Sequence, residues 1–100
     1  MNDQVPEVGT VVLSKAGRDA GRYFVVVGVA DNQHVLVADG DLRKIAKPKK
    51  KKTKHLDVKP VTIPTVKEQL TRGNGLYDAE LRRHLEALGY TLKDKALERL

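Results

Sequence analysis

The sequence predicts a mainly β chain: a small antiparallel barrel of five short strands over residues 8–58, then a short C-terminal helical pair over 65–90. Two observations carry this. Apolar, β-branched runs recur between turn signals at intervals of about ten residues, the pattern of small all-β domains. After Pro60 the apolar spacing becomes helical, with Leu81, Leu85 and Leu88 on one face. A chain of 100 residues buries only about 60–65% of its unfolded surface, so the core must be compact. The 40% apolar content sits in blocks, which argues against wholesale disorder.

Taken in order, residues 1–7 are polar, carry Pro6 and read as a lead-in. Val8–Leu13 is β-branched and apolar, a first strand. Gly17 and Gly21 bracket a loop, because glycine takes positive φ at little steric cost. Tyr23–Ala30 is a nearly continuous apolar strand with one face in the core and the other partly covered. Asp31-Asn32-Gln33 turns the chain into a third strand, His34–Ala38, which Asp39-Gly40 closes. Leu42–Ala46 alternates apolar and basic residues and predicts a fourth, half-exposed strand. Pro48 and the lysines after it predict a turn, and Thr53–Val58 a last strand.

Residues 59–64 form a linker. Thr65 and Glu68 have capping-box spacing, opening a short helix that runs to Leu70 or Thr71 and stops at Gly73-Asn74-Gly75. Asp78 caps a second helix, terminated by Gly89, with Glu80, Arg82, Arg83 and Glu86 opposite the leucines. The leucine stripe is a packing face, expected to lie against the barrel or a partner. Residues 91–100 form a charged tail, with room for a short third helix from Lys93.

The formal charge is +6, and the basic residues are clustered. That points to an anionic partner, with nucleic acid before a membrane surface. With no cysteine there is no disulfide, thiolate metal site or cysteine nucleophile. No secretory signal pattern opens the sequence and no apolar run nears the roughly 18 residues of a membrane span, so a cytoplasmic protein is expected. His34, His55 and His84 are scattered, without metal-ligand spacing. Ser14, the sole serine, lies in a strand, and the Gly17–Gly21 loop lacks the Gly-Lys-Ser/Thr ending of a phosphate-transfer loop. The expectation is a protein that is not an enzyme and has no cofactor, metal or small-molecule substrate.

Two stretches carry the positive charge. Lys15, Arg18 and Arg22 lie in or beside the Gly17–Gly21 loop, whose backbone lets a ligand approach closely; phosphates accept from both cations and amides. Lys47, Lys49, Lys50, Lys51, Lys52 and Lys54 form the second. Such a run is otherwise a solvated tail or a nuclear-localisation sequence. Here Leu56 and Val58 anchor it as a strand, with Lys50, Lys52 and Lys54 on one face and Lys49, Lys51 and Thr53 on the other. Arg43, Lys44 and His55 extend the same basic set.

Val11 to Val27, around Gly17-Arg18-Asp19-Ala20-Gly21-Arg22, resembles the KOW motif of ribosomal proteins and transcription elongation factors. The stretch Lys49-Lys50-Lys51-Lys52-Thr53-Lys54-His55-Leu56 resembles the basic strand ending in Lys-His-Leu of archaeal and eukaryotic large-subunit ribosomal proteins of this class. Over nearly its whole length the chain is similar to small bacterial single-domain KOW RNA-binding proteins. The resemblance implies a five-stranded SH3-like barrel whose first hairpin loop and basic strand contact RNA. Lys15, Gly17, Arg18, Gly21 and Arg22 fall on the motif, and Lys50, Lys51, Lys52, Lys54 and His55 on the basic strand.

Only Tyr23, Phe24, Tyr77 and Tyr90 are aromatic, which disfavours the stacking platforms of single-strand binders. The expected function is therefore docking on structured RNA, ribosomal RNA first. The alternative is a protein-interaction adaptor of transcription or translation, with the C-terminal helices contacting ribosomal or transcription proteins. Membrane attachment through the lysines lacks an apolar insertion or lipid anchor.

Overall fold

A computed structural model describes residues 5–73 and 75–90. The first four residues of the lead-in, the 91–100 tail and the helix expected from Lys93 lie outside the described residues. The strands are β1 (Thr10–Ser14), β2 (Tyr23–Asp31), β3 (His34–Ala38), β4 (Lys49–Lys52) and β5 (Leu56–Thr62). The helices are α1 (Pro64–Arg72) and α2 (Asp78–Ala87). The five strands form one antiparallel sheet in the order β4-β3-β2-β1-β5.

The two edge strands are consecutive in the chain, joined by a single 3-10 turn, Thr53–His55. A flat sheet would hold strands four spacings apart at about 19 Å, whereas the backbone from Lys52 to Leu56 reaches at most about 14 Å. The sheet is therefore curled. Hydrogen bonds fix the turn on both sides: Thr53 N donates to the Gln33 carbonyl at 2.9 Å and Lys15 N to the His55 carbonyl at 2.9 Å. Among the described residues no ladder joins β4 to β5, so the sheet is curled without being closed by strand pairing.

Both faces of the sheet are covered. Val12, Phe24, Val26, Val35, Val37 and Leu56 pack inside the curl, with Val5 and Val8, which precede β1, against them. On the outer face Val11, Val25 and Ala38 pack with Ile63, Val66, Leu76, Leu81 and Leu85. This two-sided burial is why β2 reads as a continuous apolar run rather than an alternating one. The helices thus lie on the sheet, as the leucine stripe predicts. Leu88, however, is 43% exposed, because α2 has ended at Ala87.

Three local expectations are corrected. Leu42–Ala46 is not a strand. The Asp39 carboxylate accepts from the amides of Asp41 and Arg43, each at 2.9 Å, and the Asp39 and Gly40 amides donate back to the Arg43 carbonyl. Those groups are committed to a loop and cannot enter a ladder. The lysines expected in a turn form β4 itself, and Thr53–His55, expected as strand, is the 3-10 turn. β5 then runs on to Thr62, so most of the expected 59–64 linker is strand. Pro60 is tolerated there because β5 is an edge.

The expected caps also differ. Pro64 occupies the start of α1 and Ile63 is its N-cap, without a side-chain hydrogen bond from Thr65; proline's fixed φ suits that first position. Gly73, at φ 75°, ends α1 as expected. In α2 the N-cap is Tyr77, not Asp78, and Glu80 Oε1 accepts from the Tyr77 amide at 3.0 Å.

Candidate nucleic-acid interface

The register places the 15–22 and 39–48 connections at the same end of the sheet, since Leu13 pairs with Tyr23 and Val25 with Ala38. Two buried carboxylates hold this end: Asp39 joins the two connections, and Asp19 joins the first of them to β4. Asp39, 3% exposed, takes Arg22 Nη2 on Oδ2 at 3.1 Å, and Asp41 stands 3.5 Å from the same nitrogen. Its other oxygen shapes the 39–43 loop through the amides already described.

Asp19, also 3% exposed, ties the Gly17–Gly21 loop to β4. Its Oδ1 accepts from Ser14 Oγ at 2.8 Å and from Lys51 Nζ at 3.0 Å. Lys51 Nζ donates also to the Ala16 carbonyl at 3.0 Å. Asp19 Oδ2 accepts no hydrogen bond but faces Lys49 Nζ at 3.4 Å. Burial opposes ionisation of this carboxyl, yet the Ser14 and Lys51 hydrogen bonds and the charges of Lys51 and Lys49 outweigh it. The pKa is held below the ordinary carboxylate value.

Lys51 and Lys49 pair across the ladder with Val35 and Val37, so they share the inner face and their stems run along the core. Lys51 is 6% exposed. Lys50 and Lys52, paired with Leu36 and His34, stand on the outer face. The alternation predicted for 49–52 holds, but it ends at the 3-10 turn, so Lys54 does not continue it.

No protein-family model matches this chain.

The basic residues singled out from sequence therefore divide. Arg22, Lys49 and Lys51 are engaged by internal carboxylates. Lys15, Arg18, Lys44, Lys47, Lys50, Lys54 and His55 are exposed, while Arg43 and Lys52 are half-buried; among the described residues no ion pair engages any of them. Lys15, Arg18, Arg43, Lys44 and Lys47 lie on the two stitched connections, and the Lys15–His55 backbone bond draws the Lys54–His55 turn beside them. Gly17 and Gly21 adopt φ 84° and 92°, which lets the loop fold back so that the Gly21 amide donates to the Ser14 carbonyl at 2.8 Å.

Sequence reasoning missed Ser14, Asp19, Asp39 and Asp41. The signal was one of position: an acid amid the Gly17–Gly21 basic loop, and an acid opening the Asp39-Gly40 turn. Among the described residues no cluster of His, Asp and Glu could hold a metal, and no helix is long and apolar enough to cross a membrane.

Proposed function

We propose that this protein is a non-catalytic, cytoplasmic RNA-binding module that docks on structured RNA, ribosomal RNA first, through the basic end of its sheet. The observation that carries the proposal is the sorting of charge at that end. Its buried acids, Asp19 and Asp39, are already neutralised by Arg22, Lys49 and Lys51. Arg18, Lys44, Lys47 and Lys54 face solvent without a carboxylate within ion-pair distance among the described residues. Free cations held on a common scaffold suit phosphates, which take charge and hydrogen bonds together. The reading includes an SH3-like, KOW-type barrel, supported by the five antiparallel strands and by the three-residue joint between the edges of the sheet.

The test is binding of a base-paired RNA hairpin by the unaltered protein and by the combined variant R18E/K44E/K47E/K54E. Reversing Arg22 or Lys51 instead would attack the fold. Four phosphate contacts give a slope of log K against log salt of about −3 to −4. The variant should lose binding while its far-ultraviolet spectrum and melting curve stay in place. Unchanged affinity in the variant overturns the proposed surface. Association with a protein instead, little affected by salt, would mark the adaptor function.

A further inference from the structure

Three of the four aromatic rings are satisfied within the fold. Phe24 is fully buried inside the curl, and Tyr23 and Tyr90 stack with centroids 4.6 Å apart. Tyr77 is different: it is 70% exposed, the most exposed large hydrophobic side chain among the described residues. Its backbone is nonetheless fixed. The Tyr77 amide donates to Glu80 Oε1 at 3.0 Å, and its carbonyl accepts from the amides of Glu80 at 2.9 Å and Leu81 at 3.3 Å. Leu76 before it is buried in the outer cluster.

Asp78 after it clamps the 39–48 connection, accepting from the Ile45 amide at 2.8 Å. Gly40 presses so closely that a Cβ there would lie 2.2 Å from the Asp78 carbonyl oxygen, and Arg82 donates to the Gly40 carbonyl. A solvent-facing ring thus stands on a fixed backbone, one residue before the Asp78 that grips the segment carrying Arg43, Lys44 and Lys47. Arg82 and Arg83 are exposed on the following turn.

An aromatic face held beside cations suits a nucleobase, which stacks on the ring while its phosphates meet the charges. A base inside a duplex already has both faces covered, so only a bulged or looped nucleotide can use such a platform. We infer that Tyr77 is a stacking platform for one unpaired base of a structured RNA whose phosphates lie on the basic end of the sheet. This rests on the RNA-docking function proposed above and narrows its ligand to a helix interrupted by an unpaired nucleotide.

The experiment compares two RNA probes: a 16-base-pair duplex and the same duplex with one bulged adenosine. Fluorescence anisotropy is recorded for the unaltered protein, Y77A and Y77F. The unaltered protein should prefer the bulged duplex roughly tenfold, the scale of one stacked base. Y77A should lose that preference with its affinity for the plain duplex unchanged, and Y77F should keep it. Equal binding of both probes by the unaltered protein overturns the inference while leaving RNA docking intact. So does a Y77A that retains the preference, or that weakens both probes alike. No binding of either probe by the unaltered protein overturns RNA docking, and this inference with it.

Discussion

Asp19 shows how much one side chain organises here. A buried carboxylate is tolerated only when charged and hydrogen-bonded partners surround it, and Ser14, Lys51 and Lys49 supply them. Asp19→Ala leaves the Lys51 ammonium buried without a counter-charge, keeping only the Ala16 carbonyl, a change that costs about 3–5 kcal/mol, so the urea midpoint should fall sharply. Asp19→Ala with Lys51→Met removes both charges and should recover most of that loss. If the double variant unfolds as early as the single one, the loop owes its place to something other than this pair. The pH dependence follows from the same carboxyl. Its folded pKa lies below the unfolded value of about 3.9. Its stabilisation is therefore complete above that value and is lost as pH falls through the folded pKa. Asp31, through the Gln33 amide and His34, and Asp57, through Lys59, are lowered in the same direction at exposed sites. Stability should decline below about pH 4, and Asp19→Asn should make that acid limb shallower in melts recorded across the range.

Among the elements, the 39–48 connection is the part least predictable from its own residues. Leu42–Ala46 has the alternation of a strand, and nothing within those five residues contradicts it. The groups that override it, the Asp39 carboxylate and Asp78, act through side-chain hydrogen bonds, one of them from a helix far along the sequence. β1, β2 and β3 were legible because β-branched runs bounded by turn residues need no distant partner to declare themselves. The lysines of β4 carry two signals: Pro48 and their charge suit a turn, while Leu56 and Val58 anchor them as a strand. The pairing of two of them with Val35 and Val37 decides for the strand. Two glycines test this level. Gly73 is at φ 75° with open space around it, so Gly73→Ala carries only the left-handed strain of about 1–2 kcal/mol. Gly40, at φ 81°, adds a collision with the Asp78 carbonyl. Gly40→Ala should therefore lower the melting temperature clearly more than Gly73→Ala does. Equal losses would mean that α2 can move off the loop at no cost.

At the scale of the whole molecule, sheet and helices share one stability. Val11, Val25 and Ala38 are covered on the outer face mainly by Ile63, Leu76 and the helices, with Ile45 and Tyr90 packed beside them. A chain ending at Ile63 should bind hydrophobic dyes, run as aggregates on gel filtration and lack a cooperative melt; a soluble monomer with a sharp transition would refute this. The candidate site was legible only as a set of residue types. Sequence marked the basic side chains, but which of them are engaged depends on pairings such as Arg22 with Asp39 and Lys51 with Asp19, and these exist only once distant strands meet.

The position of β1 in the sheet also dictates an order of events. β1 lies between β2 and β5, so it has one edge that stays open until residues 56–62 emerge. Its outer face is fully covered only when Ile63, Val66 and then Leu81 and Leu85 follow. A nascent chain passes through an interval with an unpaired strand and an uncovered apolar surface, the condition in which growing chains associate wrongly or recruit holding chaperones. The lysines of β4 emerge within that interval, and their charge discourages pairing of the open sheet with a neighbouring chain.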